Sequence, residues 1–281
     1  MKKKNSFAII LLLILAAAVI IFGAWVFWTN THITVTHTVI RNSRIPEAFN
    51  SFKIALVSDL HNHAWEDTLI RLLAKEKPDL IAITGDLIDS SHTNIDSAMS
   101  FIRNALKIAP VYYVTGNHEA WLKNYKALEK QLAASGVQIM DNKNAWIEKD
   151  GEKINLVGLR DPAFSFHRLE EENELVEAAL KPLLNPDSYN IVLCHRPECF
   201  DVYVKLKADC IMTGHAHGGQ VRIPLAGGLV APNQGFFPKY TEGVHHQAST
   251  DMIVSRGLGN SIIPVRINNM PELVIITLSH E

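Results

Sequence analysis

Lys53-Ile54-Ala55-Leu56-Val57-Ser58-Asp59-Leu60-His61 is a short apolar run that delivers two ligand-capable residues at its end. Such a run reads as a strand buried on both faces, the pattern of a parallel sheet. The same design recurs downstream: Leu80-Ile81-Ala82-Ile83-Thr84 ends in Gly85-Asp86, and Val111-Tyr112-Tyr113-Val114-Thr115 ends in Gly116-Asn117-His118-Glu119. Between the first two runs, Leu69, Leu72 and Leu73 share one face of a helix expected over 67–75 and stopped by Pro78. Ala98, Phe101, Ile102 and Ala105 do the same for a helix from Asn94 or Ile95 to Lys107, ended by Pro110, and a third helix is expected over 121–134. Strand, polar turn and helix in repetition is the α/β signature, and residues at strand C-termini are where such folds build sites.

Beyond Gly136 the pattern shortens. Segments 137–140, 145–148 and 154–159, separated by Asn, Asp and Gly, predict antiparallel meander strands around Asp150-Gly151. An acidic amphipathic helix is expected over 169–184, closed by Pro186. Ile191-Val192-Leu193-Cys194 is a further buried strand that hands over His195, and Cys210-Ile211-Met212-Thr213 hands over Gly214-His215-Ala216-His217. In an extended or sharply turned segment, residues i and i+2 share a side, so the last two imidazoles can face one small volume. The Gly- and Pro-rich stretch 218–235 reads as a loop near the site, with final strands over 252–255 and 273–278. Trp121 and Trp146 are expected in the core, and Phe236 with Phe237 either in the core or on a lip facing substrate.

A chain of 281 residues holds one substantial domain, or at most two small ones. Its net charge of −2 offers no concentrated basic surface, so nucleic acid is not expected as a partner. Cys194, Cys199 and Cys210 are odd in number and lack CxxC spacing, so they read as core residues. The amino terminus differs in composition. Met1-Lys2-Lys3-Lys4 is basic and 7–28 carries no charge, about the 20 residues that span a bilayer core. Trp25, Phe27 and Trp28 gather at its far end, where amphipathic rings favour the interface. The lysines predict a cytoplasmic tip, which places the rest of the chain on the extracytoplasmic side of a cell membrane. A cleaved signal peptide shares the basic start, but Ala16-Ala17-Ala18 leads into more apolar residues rather than a polar region. The expected division is a tip and anchor over 1–28, a tether or first strand over 29–51 and the main domain over 52–281.

Eight candidate ligands follow apolar runs: Asp59, His61, Asp86, Asn117, His195, His215, His217 and His118. The set is nitrogen and oxygen with no thiolate, which suits Mn, Fe or Zn in a catalytic site better than a closed structural zinc site. It is also too large for one ion, whereas two divalent metals about 3.5–4 Å apart and sharing a carboxylate would use it.

Asp59-Leu60-His61, Gly85-Asp86-Leu87-Ile88-Asp89, Gly116-Asn117-His118-Glu119, His195 and Gly214-His215-Ala216-His217 together resemble the calcineurin-like metallophosphoesterase family, motif by motif and in order. With the anchor and the form Gly-His-Ala-His-Gly-Gly-Gln, the likeness is to its bacterial membrane-associated branch. The resemblance implies a two-sheet β-sandwich flanked by helices, in an α/β (α+β) chain with one N-terminal transmembrane helix. It implies that Asp59, His61 and His217 hold one metal, that Asn117, His195 and His215 hold the other, and that Asp86 bridges them. Two such cations lower the pKa of a water between them, so hydroxide is available near neutral pH, and they neutralise the phosphoryl oxygens. By the same resemblance His118 acts near the leaving group, with Asp89 orienting its ring. Asp89 could instead cap the helix that follows.

Phosphoprotein phosphatases carry an arginine directly after the last aspartate of the second motif, where this chain has Ser90, which argues against that activity. Arg196, Arg222 and Arg256 are read as solvated, and a substitute positive charge from any of them would have to come from the fold. Glu119 reads as a residue behind the ligands or at a helix start, and His63, His92, His167, His245 and His246 as exposed. The expected reaction is hydrolysis of a phosphoester or phosphoanhydride in a phosphorylated small molecule or lipid-linked substrate. One alternative is an enzyme like those that cleave the pyrophosphate of UDP-2,3-diacylglucosamine, although an outward topology argues against a cytosolic UDP-sugar. Another, of a different class, is a non-catalytic membrane-tethered binding domain.

Overall fold

The structure is a computed structural model that describes residues 2–165, 171–260 and 263–281. Two six-stranded sheets pack face to face. The first runs β1 (Thr34–Arg41), β16 (Glu272–Ser279), β2 (Lys53–Val57), β3 (Leu80–Thr84), β4 (Val111–Val114), β5 (Gln138–Ile139). Strands β2 to β5 are mutually parallel, β16 is antiparallel to β2, and β1 adds in parallel at the edge, with Thr34 opposite Glu272. The second sheet runs β14 (Gly243–Gln247), β15 (Thr250–Val254), β9 (Cys210–Thr213), β8 (Asn190–Leu193), β7 (Glu152–Gly158), β6 (Lys143–Lys149). Its four inner strands are parallel and each edge is an antiparallel hairpin.

The burial explains the sequence pattern. Ile54 and Leu56 of β2, with Ala82 of β3, meet Ile191, Leu193 and Met212 of the other sheet in the middle of the sandwich. The outer face of the first sheet is covered by α2 (Glu66–Glu76), α3 (Ile95–Ala105) and α5 (Tyr125–Ser135) through Leu69, Leu73, Phe101, Ile102, Leu128 and Leu132. That of the second is covered by α6 (Glu172–Leu180) and α7 (Phe200–Lys205) through Val176, Leu180, Phe200 and Tyr203. Strands covered on both faces have no solvent side to mark with polar residues, hence the unbroken apolar runs. Cys194, Cys199 and Cys210 are free and buried in these layers.

Several expectations are corrected. The helix expected over 121–134 is two: α4 (Asn117–Trp121) starts on the ligand motif itself, and extended Leu122 separates it from α5. The segments after Gly136 do not form one meander, because β5 pairs with β4 in the first sheet while β6 and β7 form a hairpin in the second. The acidic helix ends at Leu180 and tightens into a 3-10 turn over Lys181–Leu183 around Pro182; Leu169, where it was expected to begin, lies outside the described residues. The stretch 218–235 carries two small hairpins, β10 (Arg222–Ile223) with β11 (Gly227–Gly228) and β12 (Val230–Ala231) with β13 (Gly235–Phe236). β14 has no counterpart in the sequence reading, since a polar edge strand shows no apolar run. Trp121 and Trp146 are exposed rather than core, as are Phe236 and Phe237.

The N-terminal helix α1 (Lys2–Asn30) contains a 22-residue stretch, Ile9–Asn30, whose most apolar 18 residues have mean hydropathy 3.0 and are not buried, whereas Thr29 at its end is. It is long and apolar enough to cross a membrane. Its last residue is held to the body of the protein: Asn30 Nδ2 donates to Arg266 O (2.7 Å), and Arg266 N–H donates to Asn30 Oδ1 (2.8 Å).

Candidate metal centre

The ligand candidates leave their strands through left-handed turns. Backbone φ is positive at Asp59 (51°), His61 (47°), Asp86 (50°), His215 (67°) and His217 (46°). The turns are zipped to one another: Asp59 N–H donates to Gly85 O (3.1 Å), His61 N–H to Asp86 O (3.0 Å), and Gly259 N–H to Asp59 O (2.6 Å). Two glycines are needed for the strand ends to approach this closely. A Cβ at Gly85 would lie 2.6 Å from His195 Nδ1, and one at Gly214 would collide with the side chains of Ser58 and Asp59.

Glu119 is the strut between two of these turns. Its buried carboxylate accepts from the amides of Gly116 (2.7 Å), Asp86 (2.9 Å) and Ile88 (3.2 Å). Burial first, and Asp86 second, push its carboxyl up to about 8. The group therefore ties the turns after β3 and β4 together instead of joining the ligands.

The result is three overlapping buried groups whose ligand atoms lie within 4.8 Å of one another in each: the triad of Asp59, His61 and His217, the triad of Asp86, His195 and His215, and between them His61 and Asp86 with His118. His217 Nε2 lies 3.5 Å from Asp59 Oδ1 and 3.3 Å from His61 Nε2. Asp86 Oδ2 faces both triads, 3.2 Å from His195 Nε2 and 3.6 Å from His61 Nε2. His195 Nδ1–H donates to Thr84 O (2.7 Å), which turns Nε2 toward the cluster, 3.1 Å from His215 Nδ1. Asn117 is buried beside them, and its Oδ1 has no hydrogen-bond partner among the described residues.

Burial holds His61 and His215 well below the usual imidazole range, and His217 below it, so all three are neutral donors. At His195 burial acts downward too, but the charge and hydrogen bond of Asp86, with Asp59 behind them, outweigh it and push the ring up to about 10. Converging imidazole nitrogens, an orphaned amide oxygen and two buried carboxylates fit a divalent metal centre, since a cation can satisfy all of them once the rings present their lone pairs to it.

His118 lies over this cluster, its ring edge-on to His61 at 4.5 Å. Its Nδ1 accepts from Ser90 N–H at 3.1 Å. A backbone amide can only donate, so Nδ1 carries the lone pair and the ring proton sits on Nε2. Asp89 Oδ2 is 3.9 Å from His118 Nδ1, beyond hydrogen-bond reach. Asp89 Oδ1 instead caps the following turn, accepting from the amides of Ser91 (2.8 Å) and His92 (2.9 Å). The Ser90 amide occupies the orienting position that the resemblance implied for Asp89.

The centre forms the floor of a cavity of about 480 Å³, with Asp86, Asn117, His118, His215 and His217 below and Trp121, Val230, Pro232 and Ile263 on the walls. Arg196 also lines it and is buried, contrary to the solvated position expected. It forks onto Asp161 with two 2.7 Å hydrogen bonds, has Glu172 Oε1 at 3.3 Å and Glu198 Oε1 at 3.5 Å, and reaches His215 Nε2 at 3.1 Å. Arg222 pairs with Glu242 and Arg256 with Glu272, half-buried and away from the cavity floor. His63, His92 and His246 are exposed, His245 is half-buried against Tyr240, and His167 lies outside the described residues.

Sequence reasoning passed over Arg266, the largest fully buried side chain. Its guanidinium donates to Gly259 O (2.5 Å), Arg256 O (2.7 Å) and Asn260 Oδ1 (2.9 Å), and lies 3.4 Å from His217 Nδ1. It sits in an irregular segment just before β16 with no periodic pattern, so nothing local to it announces burial.

Comparison with known proteins agrees with this geometry. The sequence model of the calcineurin-like phosphoesterase family matches residues 52–219. The metallophosphoesterase YkuE of Bacillus subtilis is 30% identical over 254 residues, covering 88% of this chain and 85% of that protein. The phosphodiesterase YaeI of Escherichia coli is 27% identical over 235 residues, covering 81% and 82%. A bovine transmembrane protein with a metallophosphoesterase domain is 28% identical over 259 residues, covering 87% of this chain and 56% of its own length. Two sheets flanked by helices, a buried His/Asp cluster at their strand ends and a family match over more than half its length have one meaning: the chain belongs to the calcineurin-like phosphoesterase family.

Proposed function

We propose that the chain is a membrane-anchored, binuclear metal-dependent phosphodiesterase with its catalytic domain on the extracytoplasmic side. The observation that carries the reading is the position of Asp86, whose Oδ2 faces His195 of one triad and His61 of the other. Asp59, His61 and His217 would hold one cation, Asn117, His195 and His215 the second, and Asp86 both. When bound, the two ions supply a water of lowered pKa and neutralise charge on the phosphoryl oxygens.

The remaining work falls to this chain's own residues. In hydrolysis the water oxygen joins phosphorus as the P–O bond to the leaving alcohol breaks, and that alcohol needs a proton. The attacking water gives up that proton as its oxygen joins phosphorus, and His118, whose Nδ1 is occupied by the Ser90 amide, offers its Nε2–H as a hydrogen bond to the departing oxygen. Thr84 O keeps His195 turned toward the centre, and Glu119 keeps the turns of Asp86 and Asn117 in register. A diester is favoured over a monoester because a dianion calls for an additional uncommitted cation. Among the described lining residues the guanidinium is Arg196, which is forked on Asp161 between two further carboxylates. The name of the Escherichia coli relative, a phosphodiesterase, supports the same choice. Membrane anchoring is supported by the apolar N-terminal helix and by the transmembrane name of the bovine relative, and the outward topology by Lys2, Lys3 and Lys4.

The test uses the detergent-solubilised full chain with Mn²⁺, Fe²⁺ or Zn²⁺ and two chromogenic substrates, bis(p-nitrophenyl) phosphate and p-nitrophenyl phosphate. Metal-dependent turnover is expected, with kcat/KM for the diester about tenfold or more above the monoester and lost in Asp86→Asn. Absence of metal-dependent turnover refutes the enzyme reading, and a preference for the monoester refutes the choice of diester.

A further inference from the structure

Beside the cavity mouth, the protein exposes large apolar side chains that the chemistry at the centre does not use. Phe236 is 77% exposed and Phe237 62%, at the open end of the β12–β13 hairpin, where Phe236 pairs with Val230; the strand of Val230 and Ala231 lines the cavity. Leu225 is fully exposed at the tip of the neighbouring β10–β11 hairpin, and Ile263 and Val265 are exposed on the segment beside it. These pieces are stitched into one rim. Leu229 N–H donates to Val221 O (2.8 Å), Phe237 N–H to Leu229 O (2.9 Å) and Arg222 N–H to Ile267 O (2.9 Å). Gln220, on the cavity wall, donates from Nε2 to Ile263 O (2.8 Å) and Val265 O (2.9 Å).

The rim adjoins the end of the apolar helix. Arg266, one residue past Val265 and three past the lining residue Ile263, is the residue whose backbone grips Asn30. Three residues span at most about 11 Å, so the cavity wall lies that close to the attachment point. Trp25 and Trp28, exposed on the last turns of α1, mark the level of the membrane surface, and Asn30 is about 3 Å of helix beyond Trp28. Exposed Lys239, two residues past Phe237, adds a cation of the kind that favours anionic headgroups. Apolar patches of this kind mark interaction surfaces, and the helix end beside this one names the partner.

We propose that this rim, centred on Phe236, Phe237 and Leu225, dips into the membrane that holds α1 and admits a phosphoester carrying an acyl or alkyl chain from the lipid layer. The inference rests on the anchoring and the phosphodiesterase activity proposed above. It makes the substrate class an amphiphilic phosphodiester presented by the bilayer.

The test reconstitutes the full chain in vesicles of phosphatidylcholine and phosphatidylglycerol. The native cysteines are buried and free, so an environment-sensitive fluorophore can be placed on Phe237→Cys, and on Lys130→Cys in α5 as a reference. Nitroxide-bearing lipids are expected to quench the first label and leave the second unaffected. In parallel, hexadecyl and methyl p-nitrophenyl phosphate compare one reacting group with and without a chain. The wild-type kcat/KM ratio for hexadecyl over methyl is expected to fall about tenfold or more in the double variant F236S/F237S, with metal content retained. A chain that does not float with the vesicles overturns the anchoring, and the rim with it. A chain that floats while the Phe237→Cys label stays in water overturns the rim alone. So does shielding that ignores the nitroxide lipids and grows with protein density, the mark of a second copy, or an unchanged chain-length ratio in F236S/F237S. Failure of both esters, in a chain that floats and is quenched, falls on the catalytic reading instead.

Discussion

Arg266→Met is expected to empty one half of the metal centre and spare the other. The wild-type guanidinium is fully buried and donates to the carbonyls of Arg256 and Gly259 and to Asn260 Oδ1, with His217 Nδ1 at 3.4 Å. Gly259 in turn donates its amide to Asp59 O at 2.6 Å. Through Gly259 and His217 the guanidinium thus supports the triad of Asp59, His61 and His217. The other triad is oriented by Thr84 and Arg196 instead. Methionine replaces the apolar stem but leaves two buried carbonyls orphaned, at about 1–3 kcal/mol each. Part of that cost is returned, because burial already drags the Arg266 guanidinium down to about 10 and removing the charge relieves the strain. A net loss of about 3 kcal/mol follows for breaking such a buried charged network. At about 2–4 °C per kcal/mol for a domain of this size, the melting temperature should fall by about 6–12 °C. If the centre is binuclear as proposed, metal analysis after purification with excess Mn²⁺ should find about two ions per wild-type chain and about one in the variant. Lysine should not rescue it, since one ammonium cannot span three separated acceptors. A variant with full metal content and an unchanged melting temperature would show that the guanidinium is packing, not support for the ligands.

Other expectations follow from the same geometry. His118→Ala should lower kcat by about 10²–10³-fold on dialkyl phosphates and by much less on nitrophenyl esters, whose departing oxygen carries less localised charge for the Nε2–H to stabilise; equal losses on both would refute the hydrogen bond from Nε2. Burial raises the Asp141 carboxyl to about 6, although Thr115 donates to it from both amide and hydroxyl. Its folded pKa thus exceeds the unfolded one, so its favourable contribution is complete below about pH 4 and is lost as pH rises through about 6, a difference of about 3 kcal/mol. The stability of Asp141→Asn relative to wild type should therefore rise between pH 4 and 7, as urea melts at several pH values would reveal; a flat difference refutes the assignment. Chelation should lower the melting temperature of the wild type, by about 2.7 kcal/mol of lost stabilisation if free metal had stood at 100 times its Kd, and should do so less in Asp86→Asn.

Which parts of this were legible in the chain depends on whether their cause is local. Val57, Ile83, Val114, Leu193 and Met212 are buried on strands covered from both sides, so their runs were readable as strands, and the polar residue after each run was readable as part of a site. The left-out pieces depend on distant segments. Trp121 follows the ligand motif on a five-residue helix whose exposed side no periodicity reveals. Arg196 is buried because Asp161, Glu172 and Glu198 converge on it from three elements, and Arg266 because Asn260 and the carbonyls of Arg256 and Gly259 close around it. Ser90 acts through its amide, and a backbone amide leaves no trace in side-chain chemistry.

The left-handed turns explain why a centre of this kind needs the sheets behind it. A side chain at the end of a buried strand points along the sheet normal, into one packed layer or the other. Presenting it to the space beyond the strand ends takes a sharp reversal of the backbone, and the residue at the reversal must itself carry the ligand, so glycine is excluded. At Asp59, His61, Asp86, His215 and His217 the chain accepts a positive φ at about 1–3 kcal/mol each. No single loop could hold five such residues. Here the Asp59 turn is bonded to the carbonyl of Gly85, the His61 turn to that of Asp86, Glu119 spans the turns after β3 and β4, and Gly214 N–H reaches His195 O across the second sheet. Each strained turn is thus pinned by its neighbour, and each neighbour is pinned by a strand whose two faces are buried. Loosening one, as at Arg266, should therefore be felt first at the ligand it supports and only later by the fold.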